Sequence, residues 1–397
     1  MTETSDLPLS GIKVIEFTHM VMGPTVGVIL ADMGAEVIKV EPLKGDNTRR
    51  LIGSGSGYFP MYNRNKKSIC LDLKSKDGLA IAHKLIKKAD VVIENFRPGA
   101  MDKLGLGYDE LSQLNDRLIY CSEKGFLAGP YEHRTALDEV AQMMGGLAYM
   151  TGPPGKPLRA GSSVIDVMGG MFGVIGVLAA LKQRDVTNKG QYVQSALFES
   201  TVFLVGQHMA QYAVTGQAAN PMPVRISAWA IYEVFETSDD EQVFVGVVSD
   251  TQWVKFCDVF GLNALGNDPN YAANADRVQR RDQLIPQVTA LFKQFTKKDL
   301  MEKLEFTGLP FAPISRPEQM LEDPHLKNSG GLVDLTLPGG GEASLPALPI
   351  EMNGQKFGVR HDLPEIGEQT QEVLREYGYD ESEIQDFADK AVIGLGQ

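Results

Sequence analysis

Residues 12–41, IKVIEFTHMVMGPTVGVILADMGAEVIKVE, decide the fold class. IKVIEF (12–17) and AEVIKVE (35–41) are apolar, β-branched runs of strand length. Between them, PTVGVILADMG suits a helix: Pro24 stands in the first turn, where its missing N–H costs nothing, and Gly34 is placed to end it. Two strands joined by a helix make a βαβ unit, the building block of a parallel sheet. The turn THMVMG carries no GxGxxG, which argues against a nicotinamide or flavin dinucleotide at that turn.

Outward from this unit the rhythm continues. A loop rich in glycine and serine leads through Asn63, Arg64, Asn65, Lys66 and Lys67 into the strand SICLDL, then the helix GLAIAHKLIKKA and the strands DVVIENF and RLIYCSEKGF. Strand, helix and strand repeated to residue 125 predict an α/β fold, a Rossmann-like large domain with a mainly parallel sheet. Ligands of such sheets sit at the carboxyl ends of strands, which directs attention to Asn95, Phe96, Lys124 and Gly125. The cations Arg64, Lys66, Lys67 and Lys74 suit either a phosphorylated ligand or a solvated turn.

Asp166 stands at the start of a glycine-laden apolar helix in PLRAGSSVIDVMGGMFGVIGVLAALKQRDVTNKGQYVQSALFES (157–200), a helix expected to reach Lys182–Arg184. The helix N-terminus should keep this carboxylate ionised and pointing outward; spacing alone leaves it a helix cap or a functional anion. Gly169, Gly173 and Gly176 share one face, each costing roughly 0.5–1 kcal/mol against alanine. That cost implies close approach of another backbone or a bulky ligand. Asp138, which opens a helical stretch, reads equally as a cap, a general base or neither.

Composition narrows the functional classes. At 397 residues, 43% hydrophobic and 22% charged, the chain is an ordinary globule long enough for two domains. A net charge of −13 argues against nucleic acid or anionic membrane as partner. Three scattered cysteines, Cys70, Cys121 and Cys257, show neither a disulfide framework nor zinc spacing, so no metal site is expected and a cytoplasmic location is. The first residues lack the apolar core of a signal peptide. From about residue 225 the texture becomes α+β: AIYEVFETSDDEQVFVGVVS reads as a hairpin, and helices follow. The expected division is a large domain over 1–200 to which 330–397 returns, a linker at 201–224, and a small α+β domain over 225–329.

The blocks VIEFTHMVMGP, ADMGAEVIKVE, YFPMYNRNKKSICLDLK, ADVVIENFRPGAMDKLGLGY, LDEVAQMMGG and GVIGVLAALKQRDVTNKGQYVQSALFES, in this order, resemble the class III CoA-transferases. This is the family of formyl-CoA transferase, carnitine CoA-transferase and alpha-methylacyl-CoA racemase. The resemblance implies an interlocked homodimer of threaded subunits, a fit for the glycine face, with acyl-CoA and a carboxylic acid as substrates and no permanently bound cofactor. It implies Asp166 as the nucleophile that forms an acyl anhydride and then an aspartyl-CoA thioester. By the same match, Leu71, Lys74, Asn95, Phe96, Arg97, Lys103 and Thr135 surround coenzyme A, and Val21, Tyr58 and Asp138 line the acid pocket.

Departures from the family pattern bear on the substrate. Lys103 stands where formyl-CoA transferase has arginine, and Thr135 replaces a CoA-contacting lysine beside Arg134. Val21 replaces a glutamine that holds oxalate, and the mobile glycine-rich loop has no counterpart near PMPVRISAWAIYEVF. A larger or less polar acid, succinate-like or branched, is expected. A racemase of this fold needs a histidine where Leu137 stands, although His133 lies four residues earlier. A catalytically silent CoA-binding protein is the further alternative.

Overall fold

A computed structural model describes residues 7–225 and 227–396. These divide into two compact units, Met1–Pro223 with Pro324–Gln397, and Val224–Asp323.

The first unit is built on a seven-stranded sheet. Its strands are β1 (Lys13–Phe17), β2 (Glu36–Glu41), β3 (Lys66–Leu71), β4 (Val91–Glu94), β5 (Ile119–Lys124) and β6 (Gln191–Ala196), all mutually parallel, with Ile393–Gly394 added antiparallel on the β3 edge. Their spatial order is β3-β2-β1-β4-β5-β6, so the winding reverses between β1 and β4. Crevices at the carboxyl ends of strands open at such a reversal. β4 is buried throughout, VVIE, because both faces of the sheet are covered.

Two apolar cores flank the sheet. One packs Ile15, Ile38, Ile69 and Val92 against the helix Lys76–Ile86 and the C-terminal helices. The other packs Val14, Val37, Val91 and Cys121 beneath α1 (Met22–Asp32) and beneath α3 (Val164–Thr187), which follows the short α2 (Asp138–Met144). α3 is long and apolar enough to cross a membrane by length and composition, but Val174, Val177 and Ala180 are spent on this core.

α3 continues past the expected stop at Lys182–Arg184 and ends at Asn188, which takes a left-handed backbone (φ 57°). Buried Arg184 holds that end through Asp90, at 2.8 Å, and the Arg117 carbonyl. The glycine face packs within the chain. A Cβ on Gly169 would meet Met22 Cε at 2.5 Å, one on Gly173 Glu123 Oε1 at 2.1 Å, and one on Gly176 Val193 Cγ1 at 2.5 Å; beside this face, a Cβ on Gly170 would meet the Met22 carbonyl oxygen at 2.7 Å. The expected close approach is made within the chain by α1 and the sheet.

Residues 201–224, expected as a linker, contain regular structure. They are mostly helical: Leu197–Leu204, which buries Leu197 and Thr201, is followed by Gly206–Thr215, none of whose residues is buried. The unit Val224–Asp323 has a three-stranded antiparallel sheet of Ile231–Glu236, Gln242–Val247 and Phe311–Pro313, covered by helices around Trp253, Phe256, Leu284 and Phe292.

Candidate active site

The reversal of the sheet is held by a reciprocal pair of hydrogen bonds. His19, just past β1, donates its backbone N–H to Asn95 Oδ1 at 3.0 Å, and Asn95 Nδ2 returns a bond to the His19 carbonyl at 2.8 Å. The His19 ring lies 5.4 Å from that of Phe96, and burial holds its pKa below the ordinary imidazole value. Around this junction opens a cavity of about 370 Å³ whose lining includes Val21, Tyr58, Glu123, Arg134, Asp138 and Asp166. A more apolar cleft of about 410 Å³, which takes in Val40, Pro42 and Leu51, shares His19, Met20, Phe96 and Arg97 with it.

Asp166 is the third residue of α3, and the side chain of Ser163, at the N-cap, makes no capping bond. The cap comes instead from another helix. Asp138, the first residue of α2, accepts from the backbone N–H of Ile165 at 2.9 Å and of Asp166 at 3.2 Å through Oδ2. Its Oδ1 accepts from Gln142 Nε2 at 2.5 Å and Arg159 Nη2 at 3.2 Å. Arg159 also bonds Glu139 and the Ser162 carbonyl, so the loop before α3 is tied to α2.

This arrangement changes the electrostatics expected from sequence. Asp166 is half-buried at the cavity wall, and its pKa is pushed up to about 7, first by burial and then by the Asp138 charge, with Arg159 opposing. The expectation of a fully ionised carboxylate is revised: desolvation and a like charge outweigh the helix terminus, while the residue does line open space. Tyr62 is pushed up to about 12 by burial, then by Asp166 and Tyr58, which marks these tyrosines as neighbours of the carboxyl. A carboxyl that titrates near neutrality is basic enough to attack well once ionised.

Of the residues assigned to the site from the sequence, Val21, Tyr58, Asn95, Phe96, Arg97, Thr135, Asp138 and Asp166 meet in this cavity, as do the strand-end residues Lys124 and Gly125. Three do not. Leu71 ends β3 with its side chain in the core, 2% exposed, while Lys74 and Lys103 are exposed outside the lining. The basic stretch before Lys74 is consumed by ion pairs: Arg64 with Asp32 at 2.7 Å, Lys66 with Glu16 at 2.8 Å, and Lys67 with Glu36 at 3.0 Å. Of the two readings offered for these cations, a phosphorylated ligand or a solvated turn, neither holds for Arg64 and Lys66, which are buried in structural ion pairs. Glu123, Arg159, Tyr62 and Gln142 were missed. Only Gln142 left a signal, four residues after Asp138 on one helix; the others reach the site through space.

Comparison with known proteins bears on this geometry. A family model described as CoA-transferase family III matches residues 9–370. The chain is 35% identical to a succinate–glutarate CoA-transferase of Agrobacterium fabrum, over 93% of this chain and 95% of that protein. It is 33% identical to a formyl-CoA:oxalate CoA-transferase of Bradyrhizobium diazoefficiens, over 96% of each. The crystal structure of a CAIB/BAIF family protein from Brucella suis superimposes with a TM-score of 0.82 at 32% identity, covering 94% of this chain and 99% of that one.

Proposed function

Because this chain belongs to CoA-transferase family III, we propose that it moves coenzyme A from an acyl-CoA to a free carboxylic acid with Asp166 as the covalent carrier. The observation that carries this reading is the half-buried Asp166 carboxyl at the mouth of α3, on the wall of a cavity at the sheet reversal, where burial pushes its pKa up to about 7. The Asp166 carboxylate attacks the thioester carbonyl, the C–S bond breaks, and CoA leaves as a thiolate. The thiolate attacks the aspartyl carbonyl of the resulting anhydride, releasing the donor acid and leaving an aspartyl-CoA thioester. The acceptor carboxylate attacks that carbonyl and expels the thiolate, which then takes the acceptor's acyl group and frees Asp166. No net proton or electron is consumed, and one thioester is exchanged for another.

Phe96 and Arg97 line both the cavity and the apolar cleft, a placement that suits a long ligand with its thioester at Asp166 and its nucleotide beyond them. Arg97 is exposed and available to a phosphate. Arg97→Ala should raise the KM for acyl-CoA about tenfold while leaving the acceptor KM unchanged, as removal of one charge-assisted contact predicts. Steady-state kinetics with each substrate varied in turn checks this. Val21, 1% exposed in the lining, favours a succinate-like or branched acid, in line with the succinate–glutarate specificity named for the Agrobacterium relative. A screen of acyl-CoA donors against carboxylic acids, read by mass spectrometry, tests the function directly; absence of transfer in every pair would reject it.

Leu137 lines the cavity where the racemase reaction needs a proton carrier, so α-proton exchange without an acceptor acid is not expected. The cavity-facing carboxyl instead predicts a pH profile. Transfer requires ionised Asp166, so kcat/KM for acyl-CoA should climb tenfold per pH unit below about 7 and level off above it. Arg159 lowers this pKa, and Arg159→Met should move the midpoint upward. A wild-type midpoint near 4 would contradict the assignment.

A homodimer in the cytoplasm completes the reading. Its support is an exposed apolar band, Met171 and Ile175 on α3 with Phe203, Met209 and Tyr212 beyond it, and three buried cysteines in no disulfide.

A further inference from the structure

Met20, in the turn between β1 and α1, has a left-handed backbone (φ 64°). A residue with a Cβ seldom adopts that conformation, and it persists only where the surroundings impose it. Side chains from elsewhere in the chain hold each residue of this turn. Lys39 Nζ donates to the Thr18 carbonyl at 2.7 Å, Asn95 bonds both backbone groups of His19, and the Met20 N–H donates to Thr48 Oγ1 at 2.9 Å. Thr48 is 3% exposed in the 3₁₀-helical turn Asn47–Arg50. Its hydroxyl proton is committed to Asp46 Oδ1 at 2.8 Å, which leaves the oxygen free to accept from Met20. Met20 lines both the Asp166 cavity and the apolar cleft, and the next residues, Val21 and Met22, line the cavity.

We propose that Thr48 is a positioning residue for the transfer reaction: its hydroxyl holds Met20 in the left-handed conformation and so sets the wall from Met20 to Met22 that faces Asp166 across the cavity. The inference rests on the CoA-transferase reading of that cavity. An acyl-CoA that runs from Asp166 into the apolar cleft passes the wall the two share, and Met20 is part of it. Without its anchor, Met20 relieves its strain by turning to negative φ. Rotation there displaces Val21 and Met22, the first residue of α1, relative to Asp166. Attack on a thioester needs the reacting atoms held about 3–3.5 Å apart, and a misplacement of about 1 Å costs on the order of 10²-fold. Thr18 and His19 keep their own anchors, so the turn stays folded and what is lost is aim.

The test uses full-length protein with an acyl-CoA and an acid between which the wild type transfers. Thr48→Val keeps the shape and removes the acceptor, Thr48→Ser keeps the acceptor, and in both Asp46 retains the backbone N–H of residue 48. Thr48→Val should lower kcat about 10- to 100-fold while the Kd for free CoA stays within about threefold. Its Tm should fall by no more than about 4 °C, the scale of one lost hydrogen bond. Thr48→Ser should bring kcat back to within about threefold of the wild type. Met20→Asn isolates the strain, because asparagine tolerates left-handed backbone; in that background Thr48→Val should cost at least about fivefold less than it does alone. An unchanged kcat in Thr48→Val overturns the inference, as does a Thr48→Ser protein equally slow, or an undiminished loss in the Met20→Asn background. Loss of kcat together with CoA binding and a drop in Tm beyond about 10 °C marks Thr48 as a packing residue and overturns it too. These outcomes leave wild-type transfer standing. A wild type that moves CoA between no donor and acid removes the CoA-transferase reading beneath them.

Discussion

Asp166→Ala should bind acyl-CoA as the wild type does and lose transfer on the order of 10⁴-fold or more, the scale on which deletion of a covalent nucleophile acts. The carboxyl is attached to the third residue of α3, and the backbone there is held by Asp138, not by the Asp166 side chain. Removing the side chain therefore leaves the helix start in place. Asp166→Asn tests the same point with nearly equal volume. Its stability follows from the sign of the pKa change: a carboxyl raised to about 7 in the folded protein contributes stability below its unfolded value near 4, and this is lost as pH rises through 7. The Asn variant should thus be at least as stable as the wild type above pH 7, so its inactivity cannot be ascribed to unfolding. Wild type incubated with acyl-CoA alone and then trapped with hydroxylamine should yield a modified peptide containing Asp166. Near wild-type transfer in Asp166→Ala, or a label on Asp138, would overturn the mechanism.

The second large effect falls on folding. Gly170→Leu should fail to give soluble protein, or lower the urea midpoint by an amount equivalent to about 3 kcal/mol or more. The reason is backbone geometry: the new Cβ would lie 2.7 Å from the Met22 carbonyl oxygen and 2.8 Å from Thr25 Cβ, and α1 cannot withdraw without leaving the sheet. Gly173→Leu would press on a side-chain carboxyl and Val26, which yield more readily. A stable, active Gly170→Leu protein would show that α1 and α3 do not pack as described.

The sheet was legible because its strands are short apolar runs separated by helical spacing, from Lys13–Phe17 to Gln191–Ala196. The C-terminal edge pair Ile393–Gly394 and the strand Phe311–Pro313 were not, since two or three residues carry no period. Asp166 and the strand ends Asn95 and Phe96 could be named from position. What position could not show is which charges cancel. Lys66 reads as a free cation in the chain, yet it lies buried against Glu16, fifty residues away, with its pKa lowered to about 8 by burial. Asp138 illustrates the same limit: its bonds to Ile165 and Asp166 span 27 and 28 residues, and no local spacing reports them.

The paired bonds between His19 and Asn95 join parts of the chain 76 residues apart. Such a seam closes a long loop, and the entropy of that closure is set against only two hydrogen bonds. A ligand lying across the seam is gripped from both arms at once. A ligand bound there would fasten the centre of the sheet and raise the stability of the folded state by mass action.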